Sequence, residues 1–171
     1  MDVRFDDRVA IVTGAGAGLG RCHALLLASR GAKVVVNDPG GSVDGTGGAN
    51  RVADAVVAEI RAAGGQAVAN YNSVAEEEAA QGIIATAMDT WGRLDILVNN
   101  AGILRDKAFN NMSMADYEFV NQVHHFGTAY CITAAWPIMR KQQYGRVVVT
   151  TSGSGTVGNF GQANYGAAKW P

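Results

Sequence analysis

Val9-Ala10-Ile11-Val12, then Thr13-Gly14-Ala15-Gly16-Ala17-Gly18-Leu19-Gly20, then Arg21-Cys22-His23-Ala24-Leu25-Leu26 follow one another without a break. A short apolar run rich in β-branched residues reads as a strand, the last stretch as a helix, and the middle stretch is a glycine-rich turn between them. Glycine is needed there for two reasons: the chain turns sharply, and the backbone must approach a phosphate closely enough for the N–H groups of the helix N-terminus to bond it. A glycine string alone is weak, and a purely structural turn is its alternative reading. Its place between a strand and a helix makes Gly14, Gly18, Leu19 and Gly20 candidates for a pyrophosphate site.

Working outward, the same alternation runs through the chain. Lys33-Val34-Val35-Val36, Ala67-Val68-Ala69, Leu94-Asp95-Ile96-Leu97-Val98 and Arg146-Val147-Val148-Val149 are further apolar runs. They are nearly continuous instead of alternating, as strands covered on both faces of a parallel sheet require. Helical stretches lie between them, at about Gly18 to Ser29, Ala49 to Ala63, Glu76 to Trp91 and Met114 to Lys141. The order predicts a single α/β domain over residues 1–171, a five-stranded, doubly wound parallel sheet of the Rossmann-like kind. Such sheets bind ligands beyond the carboxyl ends of their strands.

Polar residues stand at those strand ends. Asp38 follows the second strand, eighteen residues after Gly20, where dinucleotide sites place an acid on the adenine ribose. A carboxylate there repels a 2′-phosphate, so the expected cofactor is NAD over NADP; the other reading of Asp38 is that it starts a turn. Asn72 and Ser73 follow the third strand and either face an adenine or close a turn. Asn99-Asn100-Ala101-Gly102 follows the fourth, a small-residue turn that lets the backbone pass a ribose, with a purely structural role for Asn99 as the alternative. The loop Pro39-Gly40-Gly41-Ser42-Val43-Asp44-Gly45-Thr46-Gly47-Gly48 is either a surface excursion or a mobile flap beside the cofactor.

The fifth strand runs into Thr150-Thr151-Ser152, and Tyr165-Gly166-Ala167-Ala168-Lys169 follows thirteen residues after Ser152. Tyrosine and lysine four apart share one helix face. A phenol of ordinary pKa about 10 is a poor base near neutrality, and a neighbouring ammonium favours its phenolate. Tyr165 is then a candidate acid/base toward a hydroxyl or carbonyl, with Ser152 bonding the same oxygen. On its own this spacing is usually a solvated helix face; the serine, glycine turn and acidic strand end together point to hydride-transfer chemistry.

Thr13-Gly14-x-x-x-Gly18-x-Gly20, Asn99-Asn100-Ala101-Gly102, Ser152 and Tyr165-x-x-x-Lys169 resemble the short-chain dehydrogenase/reductase family over essentially the whole chain. Val36 to Gly41, Asn99 to Asp106 and Gly158 to Tyr165 are similar to the dehydrogenase domain of peroxisomal multifunctional β-oxidation enzymes and their bacterial relatives. The resemblance implies oxidation of (3R)-hydroxyacyl-CoA with NAD, or action on steroid-like substrates, by Ser152, Tyr165 and Lys169. It also implies cofactor contacts from Asp38, Asn72, Ser73, Asn99, Ala101, Gly102, Tyr165 and Lys169, and a homo-oligomer. His124 stands where the family usually has a water-holding Asn; it orients water in the same way or is a packed helix residue. Family members continue beyond Lys169, where this sequence ends at Trp170-Pro171. That predicts an exposed edge at Val147-Val148-Val149 and a weakly stable or associated chain. An inactive nucleotide-binding or interaction module is the alternative function.

The remaining composition narrows the class. Across 171 residues the formal charge is −1, with 48% hydrophobic and 17% charged residues, which gives no basic surface for nucleic acid. No apolar run is long enough to cross a bilayer, and the charged start from Asp2 to Arg8 is unlike a signal peptide, so a cytoplasmic location is expected. Cys22 and Cys131 are read as small buried thiols in helices. His124 and His125 diverge by about 100° around a helix, so no metal site is expected.

Overall fold

The computed structural model describes residues 3–47 and 51–170; Asp2, Gly48, Ala49 and Pro171, which figure in the sequence reading, lie outside them. In chain order the elements are β1 (Val9–Thr13), α1 (Gly18–Ser29), β2 (Lys33–Asn37), α2 (Val52–Ala62), β3 (Gln66–Asn70), α3 (Glu77–Trp91) and β4 (Ile96–Asn99). Then follow α4 (Met114–Asn121), a π-helical turn Gln122–Phe126, α5 (Gly127–Gln142), β5 (Arg146–Val149), α6 (Gly153–Val157) and α7 (Ala163–Ala168). The sheet is parallel throughout, in the order β3-β2-β1-β4-β5. β1 and β4 are therefore neighbours in space but not in sequence. Between them lies the switch point, where the crossovers leave in opposite directions and open a crevice.

Strand alternation divides the core into two layers. Val9, Ile11, Val35 and Leu97 pack on one face with Ile83, Ile84, Val120, Cys131 and Ala135. Ala10, Val12, Val34, Val36, Ile96 and Val98 pack on the other with Ala24, Ala28, Val56 and Ile60. Each buried aliphatic side chain of this kind contributes about 1.5–3 kcal/mol, which is why the central strands carry no polar face. β5 forms one edge of the sheet, and Val147, Val148 and Val149 are exposed, as expected.

Three details differ from the sequence reading. The single helix expected from Met114 to Lys141 is interrupted by the π-helical turn, which re-aims the residues after Asn121. Leu94 and Asp95 precede β4; the Asp95 carboxylate binds Arg8, Arg93 and the N–H of Val9. Cys22 is exposed, and only Cys131 is a buried thiol, which burial pushes up to about 12. The buried positions of α1 are Gly20, Ala24 and Ala28, one row at a spacing of four, and Cys22 falls on the opposite side.

Candidate dinucleotide and catalytic site

A cleft of about 570 Å³ opens at the carboxyl ends of the strands. Its floor is the glycine turn. Gly14 (φ 62°) and Gly18 (φ 53°) occupy left-handed backbone that favours glycine. A Cβ on Gly14 would stand 2.8 Å from Ala101 Cα, and one on Gly20 only 2.1 Å from the Gly14 carbonyl oxygen, whereas one on Gly18 would meet nothing within 4 Å. The turn is thus packed from behind and open toward the cleft. The N-cap residue of α1, Ala17, supplies no side-chain cap, and its first turn holds no acidic residue. Its first N–H groups therefore have no capping side chain.

Asp38 closes the far wall. Its carboxylate accepts from the N–H of Gly16 (Oδ2, 2.9 Å) and of Gly40 (Oδ1, 2.9 Å), so it shapes the glycine turn and starts the next loop at once. Each oxygen keeps a further lone pair for a ligand hydroxyl. Residues 39–43, Gly45 and Gly47 of that loop line the cleft. Ser73, Ala101 and Gly102 line it too.

Two expected contacts move. Asn72 is turned away: its Nδ2 donates to the Ala79 carbonyl in α3 (3.0 Å), and its own carbonyl accepts from Asn37. Asn99 is buried at the end of β4, where strand alternation points it away from the cleft, and its carbonyl accepts from the Thr150 N–H. Asn100, which the sequence reading passed over, is in the lining instead. Its Nδ2 donates to the carbonyls of Thr13 (2.9 Å) and Gly14 (3.1 Å), while Thr13 Oγ1 accepts from the N–H groups of Asn100 and Ala101. A polar residue next to a small-residue turn was the available signal. Val43, Ile103, Phe119 and Val123 add an apolar end.

The catalytic candidates adjoin that apolar end and lie outside the cleft lining. Ile103 sits against His124, whose Nε2 is 3.0 Å from the Ile103 nitrogen and 2.8 Å from its carbonyl oxygen. The imidazole is buried; burial pulls it down to about 4, with the charge of Lys169 adding to the effect and the bond to Ile103 opposing it. Its ring meets Tyr165 edge-on. Lys169, one turn after Tyr165, is buried and donates to the Thr150 carbonyl (2.6 Å) at the end of β5; burial pulls its amine down to about 8. Ser152 caps α6, its Oγ accepting from the Ser154 N–H (3.2 Å). Glycines let α6 and α7 meet: a Cβ on Gly155 would stand 2.2 Å from the Lys169 carbonyl oxygen, and one on Gly166 2.9 Å from that of Ser154.

A doubly wound sheet with a glycine-rich turn at its switch point, and a tyrosine–lysine helix beside the apolar end of the cleft, defines a Rossmann-like α/β fold. The model of the short chain dehydrogenase family matches residues 8–171, and the chain belongs to that family. It is 59% identical over 167 residues to peroxisomal multifunctional enzyme type 2 of Drosophila melanogaster, covering 98% of this chain and 27% of that protein. A short chain dehydrogenase from Mycobacterium avium has the same fold, with a TM-score of 0.86 at 48% identity over 96% of this chain and 59% of that one. A 7α-hydroxysteroid dehydrogenase complexed with NADH and 7-oxo glycochenodeoxycholic acid also scores 0.86, at 34% identity over 97% of this chain and 61% of that one. The chain therefore spans about a quarter of the Drosophila enzyme and about three fifths of both dehydrogenases. Among the described residues no helix is long and apolar enough to cross a membrane.

Proposed function

We propose that the chain is the cofactor-binding and catalytic portion of an NAD-dependent dehydrogenase that oxidises a secondary alcohol, a 3-hydroxyacyl-CoA or a steroid-like hydroxyl, with Tyr165 as acid/base. The observation that carries this reading is the buried amine of Lys169, held on the Thr150 carbonyl one turn after Tyr165 and beside the apolar end of the cleft. The cradle of Gly14, Gly18, Leu19 and Gly20 with the uncapped start of α1 fits a pyrophosphate, and Asp38 fits ribose hydroxyls while opposing a 2′-phosphate. A bound NAD supplies the hydride acceptor. Tyr165 takes the substrate's hydroxyl proton at its Oη as the carbonyl forms, the Lys169 ammonium favours the phenolate that does so, and Ser152 Oγ bonds the substrate oxygen. The steroid ligand of the solved dehydrogenase supports the steroid-like class, and the resemblance to the β-oxidation dehydrogenase domain supports the acyl-CoA class.

Incubating the chain with NAD and either a (3R)-hydroxyacyl-CoA or a hydroxysteroid, with NADH absorbance followed, tests the reading. Turnover that Tyr165→Phe abolishes is the expected result. NADH binding without turnover would mark a nucleotide-binding module instead. We also propose a homo-oligomer, which sedimentation measures, and a cytoplasmic location, which imaging of a tagged chain decides against the peroxisome named for the Drosophila relative.

A further inference from the structure

The segment from Ile103 to Lys107 has two working sides. On one it holds the glycine-rich loop over the cleft: the Leu104 N–H donates to the Val43 carbonyl (2.9 Å), and Arg105 Nε donates to the Asp44 carbonyl (2.9 Å). Gly45 fits so closely against Phe119 and Ile103 that a Cβ would stand 2.8 Å and 3.2 Å from them. On the other side the segment holds the tyrosine helix. The Arg105 carbonyl accepts from Asn164 Nδ2 (3.0 Å), the Lys107 N–H donates to the Gly161 carbonyl (2.9 Å), and Gln162 Nε2 donates to Asp106 Oδ2 (2.8 Å). Asn164 is fully buried and precedes Tyr165, whose N–H donates to Asn164 Oδ1 (2.8 Å).

Arg105 is where the two sides join. Its guanidinium lies 4.5 Å over the Phe119 ring and pairs with Asp116 of α4 (3.1 Å), so the side chain that grips the loop is itself clamped on α4, while its backbone grips Asn164. We infer that Arg105 is a positioning residue that couples closure of the 39–47 loop on a dinucleotide to the placement of Tyr165. Loop and helix share no hydrogen bond among the described residues, and each is hydrogen-bonded to this segment. A ligand that orders the loop thereby stiffens the start of α7, and the acid/base is held in place when the cofactor is bound. The inference rests on the proposed reading of the cleft and of Tyr165.

Hydrogen exchange of the chain with and without NADH tests it. In the native chain NADH should slow exchange both in residues 39–47 and in residues 161–166. In Arg105→Met, which keeps an apolar stem over Phe119 but no donors, the loop should still be protected while the response of residues 161–166 is lost. Where turnover is measurable, kcat should fall about tenfold with KM for NAD changed far less. Equal protection of residues 161–166 in Arg105→Met and the native chain would overturn the coupling. Absence of any loop protection in the native chain would instead overturn the reading of the cleft. If Arg105→Met does not fold, Arg105→Lys, which keeps the charge beside Asp116 but cannot reach both partners with one planar group, is expected to lose the same distant response.

Discussion

The imidazole of His124 stands edge-on to the phenol ring of Tyr165, with ring centroids 5.1 Å apart and planes at 85°. The contact puts a buried, neutral histidine against the proposed acid/base, and its Nε2 is bracketed by the backbone of a single residue, Ile103. Gly102 must be small for this to happen, since a Cβ there would lie 2.3 Å from His124 Cε1. Nδ1 is buried without a partner among the described residues.

The folded state holds His124 near 4, below its ordinary 6.5. Between those values the unfolded chain binds more protons than the native one, so stability rises with pH there. It is complete above about 6.5 and is lost as the pH falls toward 4, by up to about 3 kcal/mol. Urea unfolding across this range should show that slope, and His124→Asn should flatten it. A slope unchanged in the variant would mean other groups cause it.

Gly20 and Gly153 make a matched pair for testing the glycine turn. A methyl on Gly20 runs into the backbone of Gly14, which cannot give way without reshaping the phosphate cradle, while one on Gly153 meets nothing within 4 Å. Gly20→Ala should lose about 3 kcal/mol, a fall in Tm of roughly 6–12 °C, together with NADH binding. Gly153→Ala should stay within about 0.5 kcal/mol of the native chain. Thermal melts with and without NADH read both, and equal melting temperatures would contradict the packing described.

Asp38 does two things, and one substitution tests the charge. Asp38→Asn removes the charge and keeps a single oxygen, so one of the Gly16 and Gly40 N–H groups, which bond separate carboxylate oxygens, retains its acceptor and the other loses it. NADH affinity should fall about tenfold, from the loss of charge-assisted bonds to ribose, while NADPH affinity holds or rises because the repulsion is gone. Fluorescence titration with both dinucleotides checks the ratio. A ratio unmoved by the substitution would show that Asp38 only builds the turn.

What the sequence made legible follows from where each signal is local. Runs such as Lys33–Asn37 declare a strand buried on both faces because nothing polar interrupts them. Arg146–Val149 reads the same way although its valines are exposed, since composition reports propensity and not cover. The π-helical turn at Gln122–Phe126 was invisible because five residues wound slightly wider leave the apolar spacing almost unchanged. Asn99 and Asn100 changed places because one residue of shift flips a side chain to the other face. Cys22 went astray for a related reason: its residue type suits the expected role, but the helix face decides otherwise, and of the two readings open for Asn72 the bond to the Ala79 carbonyl fits the structural one. The inward fold of residues 39–47 depends on bonds to Leu104 and Arg105, some sixty residues away, which no local pattern carries.

Asp95 gives the sharpest test of what holds the sheet together. Its fully buried carboxylate accepts from the Val9 N–H (2.9 Å), Arg8 Nη1 (3.0 Å) and both Nε and Nη2 of Arg93 (2.8 and 2.7 Å), tying the entry of β1 to that of β4. Burial raises its pKa, but the bonds from Arg93, Val9 and Arg8 together outweigh burial and hold it below 3.8. A depressed carboxylate contributes stability above its unfolded value and loses it as the pH falls below about 3.8. Asp95→Asn keeps the shape and loses the charge. Because both arginines keep partial access to water, the cost at neutral pH should be about 2–4 kcal/mol instead of the full penalty of a stranded buried ion. The decisive quantity is the difference between native and variant in denaturant unfolding. It should shrink as the pH is lowered from 5 to about 3, because the carboxylate of the unfolded chain takes up a proton before the depressed native one does, which favours unfolding of the native sequence and not of the variant. A difference that stays constant over that range would show that packing, and not charge, is what Asp95 contributes.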